Sequence, residues 1–355
     1  MSLSLSQNRF FMRSLSKRTV ITAVLSVTTL FSTGMGLHSS AAWGQAATPP
    51  PAASSSCPVA AHMPSAPELK DIARTATDRG FLWQVTSNGH SSWLYGTIHA
   101  AKLNWAFPGP LIRAALRQSD TIAVELSLSD PATLQVLRDK EDPARLQHLV
   151  ETHRKARLDE IAAQQCLPPH AFDALATGME AAALVSLSGR KDGIYPDYAI
   201  DSVIQGYARS VHKPIVPLET ATAQRQLLIG TTAAEEDALI DDALHDLSSD
   251  TGRKELLAIA TMWANSDLNK LEHYREWCDC LKTTQEKAHT KAMLDDRNIE
   301  MAKKIIQMHT SGHKLFVAVG ALHMSGPNGL PALLRKEGFK VTQIVPAPSA
   351  TASQL

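Results

Sequence analysis

Lys314-Leu-Phe-Val-Ala-Val319 is a nearly continuous apolar run set between Gly312 and Gly320. A strand with no polar face is buried on both sides, so helices must cover both faces of the sheet that holds it. Thr121-Ile-Ala-Val-Glu-Leu126 reads as a second short buried strand, Lys213-Pro-Ile-Val-Pro-Leu-Glu219 as a third, and residues 339–345 as a closing one. Residues 81–86 and 91–95 flank Ser87-Asn-Gly-His90, and Asn-Gly between two β-rich runs signals a hairpin. Helical spacing occupies residues 108–118, 298–308 and 330–337. The stretch of about 131–290 is helical in pattern, with segments at 132–138, 146–165, 171–187 and 196–211 and several between 221 and 291. Strands alternating with helices predict an α/β (α+β) fold: a central, mostly parallel β-sheet flanked by helices, with a helical middle subdomain.

The first 46 residues stand apart, carrying Arg9, Arg13, Lys17 and Arg18 and no acidic residue. A largely apolar stretch follows, then small residues around Ser40-Ala-Ala42 and Gln45-Ala-Ala47, which is the order of a secretory signal peptide. Residues 1–46 are expected to be that signal, sending the mature chain to a bacterial periplasm or the exterior with no stable membrane anchor after cleavage. Residues 47–67 are rich in Ala, Pro and Ser and read as a flexible linker. The folded domain is expected over 68–348, with its helical insertion at about 131–290. With 355 residues, 44% of them hydrophobic, the chain can fill one large domain or two modest ones. Lys and Arg total 35, as do Asp and Glu, so no basic field is present to hold nucleic acid by its phosphates.

Four cysteines, Cys57, Cys166, Cys278 and Cys280, are an even count that suits disulfides in an oxidising compartment. Self-pairing of Cys278-x-Cys280 makes a strained small ring, so the spacing favours one or both reaching Cys57 or Cys166.

The chemistry lies in an echo. Leu94-Tyr-Gly-Thr-Ile-His99 and Val317-Ala-Val-Gly-Ala-Leu-His323 are both apolar strands that run into Gly-x-x-His, through Gly96 and Gly320. Each delivers a histidine just past a strand's carboxyl end, the edge at which open parallel sheets bind ligands. Glu125 and Glu219 lie in or at the end of two further strands, and a carboxylate there is costly unless it is paired, hydrogen-bonded or bound to metal. Glu125 is thus either an arginine's buried partner or a site residue, and Glu219 either a helix-start residue or a ligand. Two histidines with one or two glutamates suffice for a divalent ion with open positions, or for metal-free acid/base chemistry. Asp295-Asp-Arg-Asn298 either caps the next helix or points Arg297 into the cleft. The Gly-x-Ser-x-Gly, His-Glu-x-x-His, Walker and dinucleotide patterns are missing, which weakens serine hydrolase, familiar zinc peptidase and nucleotide readings.

In these residues the sequence resembles the TraB/GumN (TraB/PrgY/GumN) family, distantly related to the TIKI metalloproteases. The resemblance rests on Leu82-Trp83, Tyr95-Gly-Thr-Ile-His99, Pro108, Asp120, Val124-Glu125, Leu218-Glu-Thr220 with Gln224, Arg297-Asn298, Phe316-Val-Ala-Val-Gly-Ala-Leu-His323, Gly326, Gly329-Leu330 and Gly338-Phe339, spanning about 75–345. It implies a TIKI-like fold in which His99, Glu125 and His323 hold a metal or activate water, with Arg297 and Asn298 lining the site. The leading expectation is a secreted or periplasmic metal-dependent hydrolase, a peptidase, using a divalent ion such as Mn, Co or Zn on a peptide or protein substrate. The alternative is a non-catalytic cell-envelope binding or interaction protein that uses the same cleft.

Overall fold

Asn88 and Gly89 take φ values of 50° and 80°, the left-handed pair that a two-residue hairpin turn requires. They join β1 (Phe81–Ser87) to β2 (His90–Thr97) in antiparallel register, Leu82 opposite Tyr95 and Val85 opposite Ser92. The structure is a computed structural model and describes residues 57–346. The expected signal peptide and the first part of the linker lie outside those residues, as do positions 347–348.

The hairpin is the pivot of a six-stranded sheet ordered β4-β3-β5-β2-β1-β6. β3 (Thr121–Val124), β4 (Ile215–Pro217) and β5 (Leu315–Gly320) join β2 in a parallel block, and β6 (Lys340–Val345) pairs antiparallel to β1. β5 lies inside the block and is buried at every position, as its unbroken apolar run demands. The expected α/β architecture with a mostly parallel central sheet is what the chain adopts.

Helices α1 (Ala66–Thr75) and α2 (Pro110–Gln118) precede β3. The insertion opens with α3 (Pro131–Arg138), α4 (Pro143–Glu151), α5 (Arg154–Gln164) and α6 (Thr177–Leu187). α7 (Ile200–Ser210) returns to the sheet and feeds β4, after which α8 (Ala221–Ile229), α9 (Ala233–Ser249) and α10 (Thr251–Ala264) follow. Short helices α11 (Leu268–Glu272), α12 (Tyr274–Trp277) and α13 (Thr284–Thr290) lead through a π-helix, Lys291–Asp296, directly into α14 (Arg297–Thr310). α15 (Leu330–Lys336) precedes β6.

Two large hydrophobic cores and two small satellite clusters form among the described residues. One large core surrounds the sheet, with Phe81, Leu94, Tyr95, Phe316 and Val317 at its centre. The other fills the helical lobe with Leu137, Leu158, Met179, Leu184 and Ile240. α6 is the axis of that lobe: residues 177–186 are all buried, which is why its sequence is mostly apolar on every side and not amphipathic, with Glu180 as its one charged residue. Trp263 at the end of α10 ties the lobe's return to the sheet, its Nε1–H donating to Gly96 O at 2.7 Å.

Local departures from the sequence pattern have local causes. The helical stretch 146–165 divides into α4 and α5 because His153 turns to φ 60°. The stretch 171–187 becomes helical only from Thr177. Cysteine pairing also departs: Cys57 bonds Cys166, and Cys278 bonds Cys280. The close ring forms because the chain leaves α12 extended at Cys278 and bends, setting the two Cα atoms 5.2 Å apart, within the usual disulfide span.

The segment before Glu68 is tied to the domain. Besides the Cys57–Cys166 bond, Tyr195 donates its hydroxyl to Val59 O at 2.9 Å and Tyr198 to His62 O at 2.6 Å. Among the described residues, no helix is long and apolar enough to cross a membrane.

Candidate active site

Four parallel strands end at one edge of the sheet, and each delivers a polar residue there. His99 comes just after β2, Glu125 directly after β3, Glu219 after β4 and His323 after β5. Strand order puts β3 between β4 and β5, so Glu125 is the central group. Gly320 contributes through its backbone, donating its N–H to Glu125 Oε1 at 2.7 Å. Gly96 acts by its small size: a Cβ there would lie 3.0 Å from Ala321 Cα, pushing away the turn that carries His323.

The other oxygen, Glu125 Oε2, accepts from Arg297 Nη2 at 2.6 Å and from Gln224 Nε2 at 3.1 Å. Arg297 also donates Nε–H to Glu219 Oε1 at 2.7 Å, Nη2–H to Glu219 Oε2 at 2.5 Å and Nη1–H to Met293 O at 3.0 Å. Glu125, buried, and Glu219, half-buried, both pair with Arg297, whose side chain lies between them. Asp295 and Asp296 do not start the helix, because the π-helix runs on without a break, and they pair with Arg275 and Lys291 instead. Such π-helical turns recur beside functional sites. Burial opposes the charge on Arg297, but Glu125 and Glu219 outweigh it and raise its pKa, so the guanidinium stays protonated.

The two histidines are held by their Nδ1 atoms. His99 Nδ1 meets Asp201 Oδ1 at 3.0 Å, and His323 Nδ1 meets Asn298 Oδ1 at 2.7 Å. Asn298 donates its Nδ2–H to Asn328 O at 2.9 Å, which orients the amide with its oxygen toward His323. Both acceptors therefore place a proton on Nδ1 and turn Nε2 inward. His99 Nε2 lies 4.0 Å from Glu125 Oε1 and His323 Nε2 lies 3.9 Å from the same oxygen. Neither Nε2 has a hydrogen-bond partner, and both are buried. Burial disfavours charge on His99, yet Asp201 and Glu125 outweigh it and raise its pKa. His323, wholly buried and facing Arg297, is held well below the usual histidine value.

Among the described residues, no three His, Cys, Asp or Glu side chains are close enough together to enclose a metal ion. The donor chemistry still suits one. Two unpartnered imidazole nitrogens face one carboxylate oxygen, each ring fixed from behind by an acceptor, as metal-ligating histidines characteristically are.

The sequence pattern reaches His99, Glu125, Glu219, Arg297, Asn298, Gly320 and His323 as groups that meet in space, while Gly96 supports them by packing. Asp201 escapes it because an acid in a helix's first turn looks like ordinary helix-start chemistry. A signal existed: Asp201 falls on the buried stripe of α7 with Ile200, Ile204 and Ala208, where a carboxylate needs a partner. Gln224, on the buried stripe of α8 with Ala221 and Leu228, is the same kind of clue.

The family model for the TraB/PrgY/gumN family matches residues 81–343, from β1 into β6 and including every one of these side chains. The chain belongs to the TraB/PrgY/gumN family. Among relatives, the uncharacterized protein YbaP of Escherichia coli (strain K12) is 24% identical over 269 residues, covering 72% of this chain and 97% of YbaP. YbaP of Shigella flexneri matches to the same extent. No solved structure matches the chain. For this TraB/PrgY/gumN member, chemistry must be argued from the sheet edge itself, since a fold does not carry a reaction with it.

Proposed function

We propose that this protein is a metal-dependent hydrolase of the periplasm or the exterior, acting on peptide bonds. The observation that carries the reading is the pair of buried, unpartnered Nε2 atoms of His99 and His323 facing one oxygen of Glu125. An orphaned buried polar atom costs about 1–3 kcal/mol, and a site that keeps two of them side by side is built to meet something. The metal chemistry accords with the resemblance to TIKI metalloproteases. The compartment accords with two disulfides and no free cysteine among the described residues.

His99 and His323 would hold the ion through Nε2, with Asp201 and Asn298 fixing the ring planes. When bound, a divalent ion supplies a water of lowered pKa and polarises the scissile carbonyl. Arg297 and Gln224 anchor Glu125 Oε2, so Oε1 is the oxygen left facing the histidines, placed to take a proton from a water lying among them. Glu125 is therefore the general base, and the amine leaving group takes the proton back from it. Arg297 stays protonated and fixes the two carboxylates in place.

The test is hydrolysis of a mixed peptide library by the folded protein, with and without chelator, set against Glu125→Gln. A chelator-sensitive activity that falls about 10²–10⁴-fold in the variant supports the reading. Cleavage indifferent to both treatments contradicts the reading, and no cleavage with any of Mn, Co and Zn moves the assignment to a non-catalytic envelope binding protein that uses the same cleft.

A further inference from the structure

A groove of about 870 Å³ opens beside the site and shares two of its residues, Glu219 and Arg297. One wall is formed by α8 and α9, the other by α13, the π-helix and the start of α14, and Leu218 at the end of β4 belongs to the inner end. Its volume lies toward the upper end of ordinary ligand sites, about 300–1,000 Å³, and its open form suits a chain better than a small enclosed molecule.

Chemistry along the groove is two-sided. Leu227 and Leu239 give it apolar surface, while Glu235, Asp296 and Glu300 set carboxylates on its walls. The cations that line it are already engaged: Arg297 by Glu125 and Glu219, and Lys304 by Leu218 O. Asp296 and Glu300 do have lysine partners, Lys291 and Lys303, but both pairs are exposed, and such pairs are weak and yield readily to a better-placed cation. His289 adds a polar point in the wall. Its Nε2 is buried without a partner, and burial pushes its pKa down to about 4, so the ring is neutral and one of its nitrogens is unsatisfied.

We propose that this groove is the substrate channel and that its occupant is a peptide segment carrying Lys or Arg beside apolar side chains, laid between α9 and α13 with one end at Glu219. The proposal rests on the hydrolase reading for what happens at that end, but not for binding. Acidic walls attract the basic side chains, and the leucines accept the apolar ones. Arg297, joining Glu219 to Glu125, links the occupied groove to the histidine pair.

The test is fluorescence anisotropy with the intact chain and two labelled probes, an alternating Leu/Lys octapeptide and its Leu/Glu counterpart. Four proteins are compared: wild type, the His99→Ala/His323→Ala double variant, Ala288→Arg and Glu300→Lys. Ala288 and Glu300 are exposed residues lining the groove, so neither change disturbs a core. Expected are salt-sensitive binding of the Leu/Lys probe at least tenfold tighter than the Leu/Glu probe, loss of about tenfold in Ala288→Arg, and a severalfold loss in Glu300→Lys. Binding retained by the double histidine variant would uphold the groove even if no hydrolysis is found. Equal affinity for the two probes, or unchanged binding in both groove variants, overturns the proposal.

Discussion

His99 and His323 arrive by the same route and end in different surroundings. Each follows a parallel strand through Gly-x-x-His, and each is gripped at Nδ1 from a neighbouring helix. On His99 the grip is a carboxylate, Asp201, and the side chain keeps 11% exposure; on His323 it is an amide, Asn298, with 1%. The two pKa values move in opposite directions as a result. A repeated motif thus fixes where two imidazoles stand, and the second residue behind each one sets how basic it is. Environments that push two titratable groups apart are the usual way in which one site assigns different tasks to like residues.

The largest effect expected of any single change is at the cation that holds the carboxylate both histidines face. Arg297→Met leaves the buried Glu125 and the half-buried Glu219 without their cation, which costs about 3–5 kcal/mol, read from the midpoint of urea denaturation. Next comes Asn298→Ala, which strands His323 Nδ1–H in the core and should cost about 1–3 kcal/mol. Asp201→Ala should cost less by the same measurement, because His99 is the more exposed of the two. A reversed order would break the comparison.

Exchanging the partners sharpens it. In Asp201→Asn the pKa of His99 should fall, and in Asn298→Asp that of His323 should rise, followed by NMR titration of the ring protons. Stability carries the same signs. His99 has a raised folded-state pKa, so its contribution is complete below pH 6.5 and is lost as pH rises through the folded value. For His323 the folded value is lowered, so stability is lost as pH falls below 6.5, where the unfolded chain binds the extra proton. Denaturation midpoints between pH 5 and 8 should show Asp201→Asn removing the first slope and leaving the second.

A smaller effect is expected in the helical lobe, where Glu180 lies within buried α6 and burial pushes its pKa up to about 7. Its folded form binds a proton more tightly than the unfolded chain, so stability should decline between about pH 4.5 and 7. Glu180→Gln should flatten that decline while leaving the histidine slopes untouched.

What the sequence made legible follows the same division. Strand periodicity and the unbroken run at 315–319 announced the sheet, and the repeated Gly-x-x-His announced its functional edge, because both are local signals set by burial. The partners behind the histidines were harder to read: Asp201 stands 102 residues from His99, and only the fold brings them together. The groove was unreadable for a similar reason, since its walls come from helices whose order in space no local pattern records. Leu227 or Ala288 alone looks like any helix surface residue. The Cys278–Cys280 ring is illegible for the same reason, since the bend that follows α12 and closes it leaves no mark in the spacing of the cysteines.

The central claim is that the two unpartnered imidazoles facing Glu125 hold one metal ion. Equilibrium dialysis of the purified chain against Mn, Co and Zn, beside the His99→Ala/His323→Ala variant shown to be folded by circular dichroism, tests it most directly. The account predicts one ion per wild-type chain, retained through gel filtration for at least one of the three metals and lost in the variant. Equal binding by both proteins, or none by either, would contradict it.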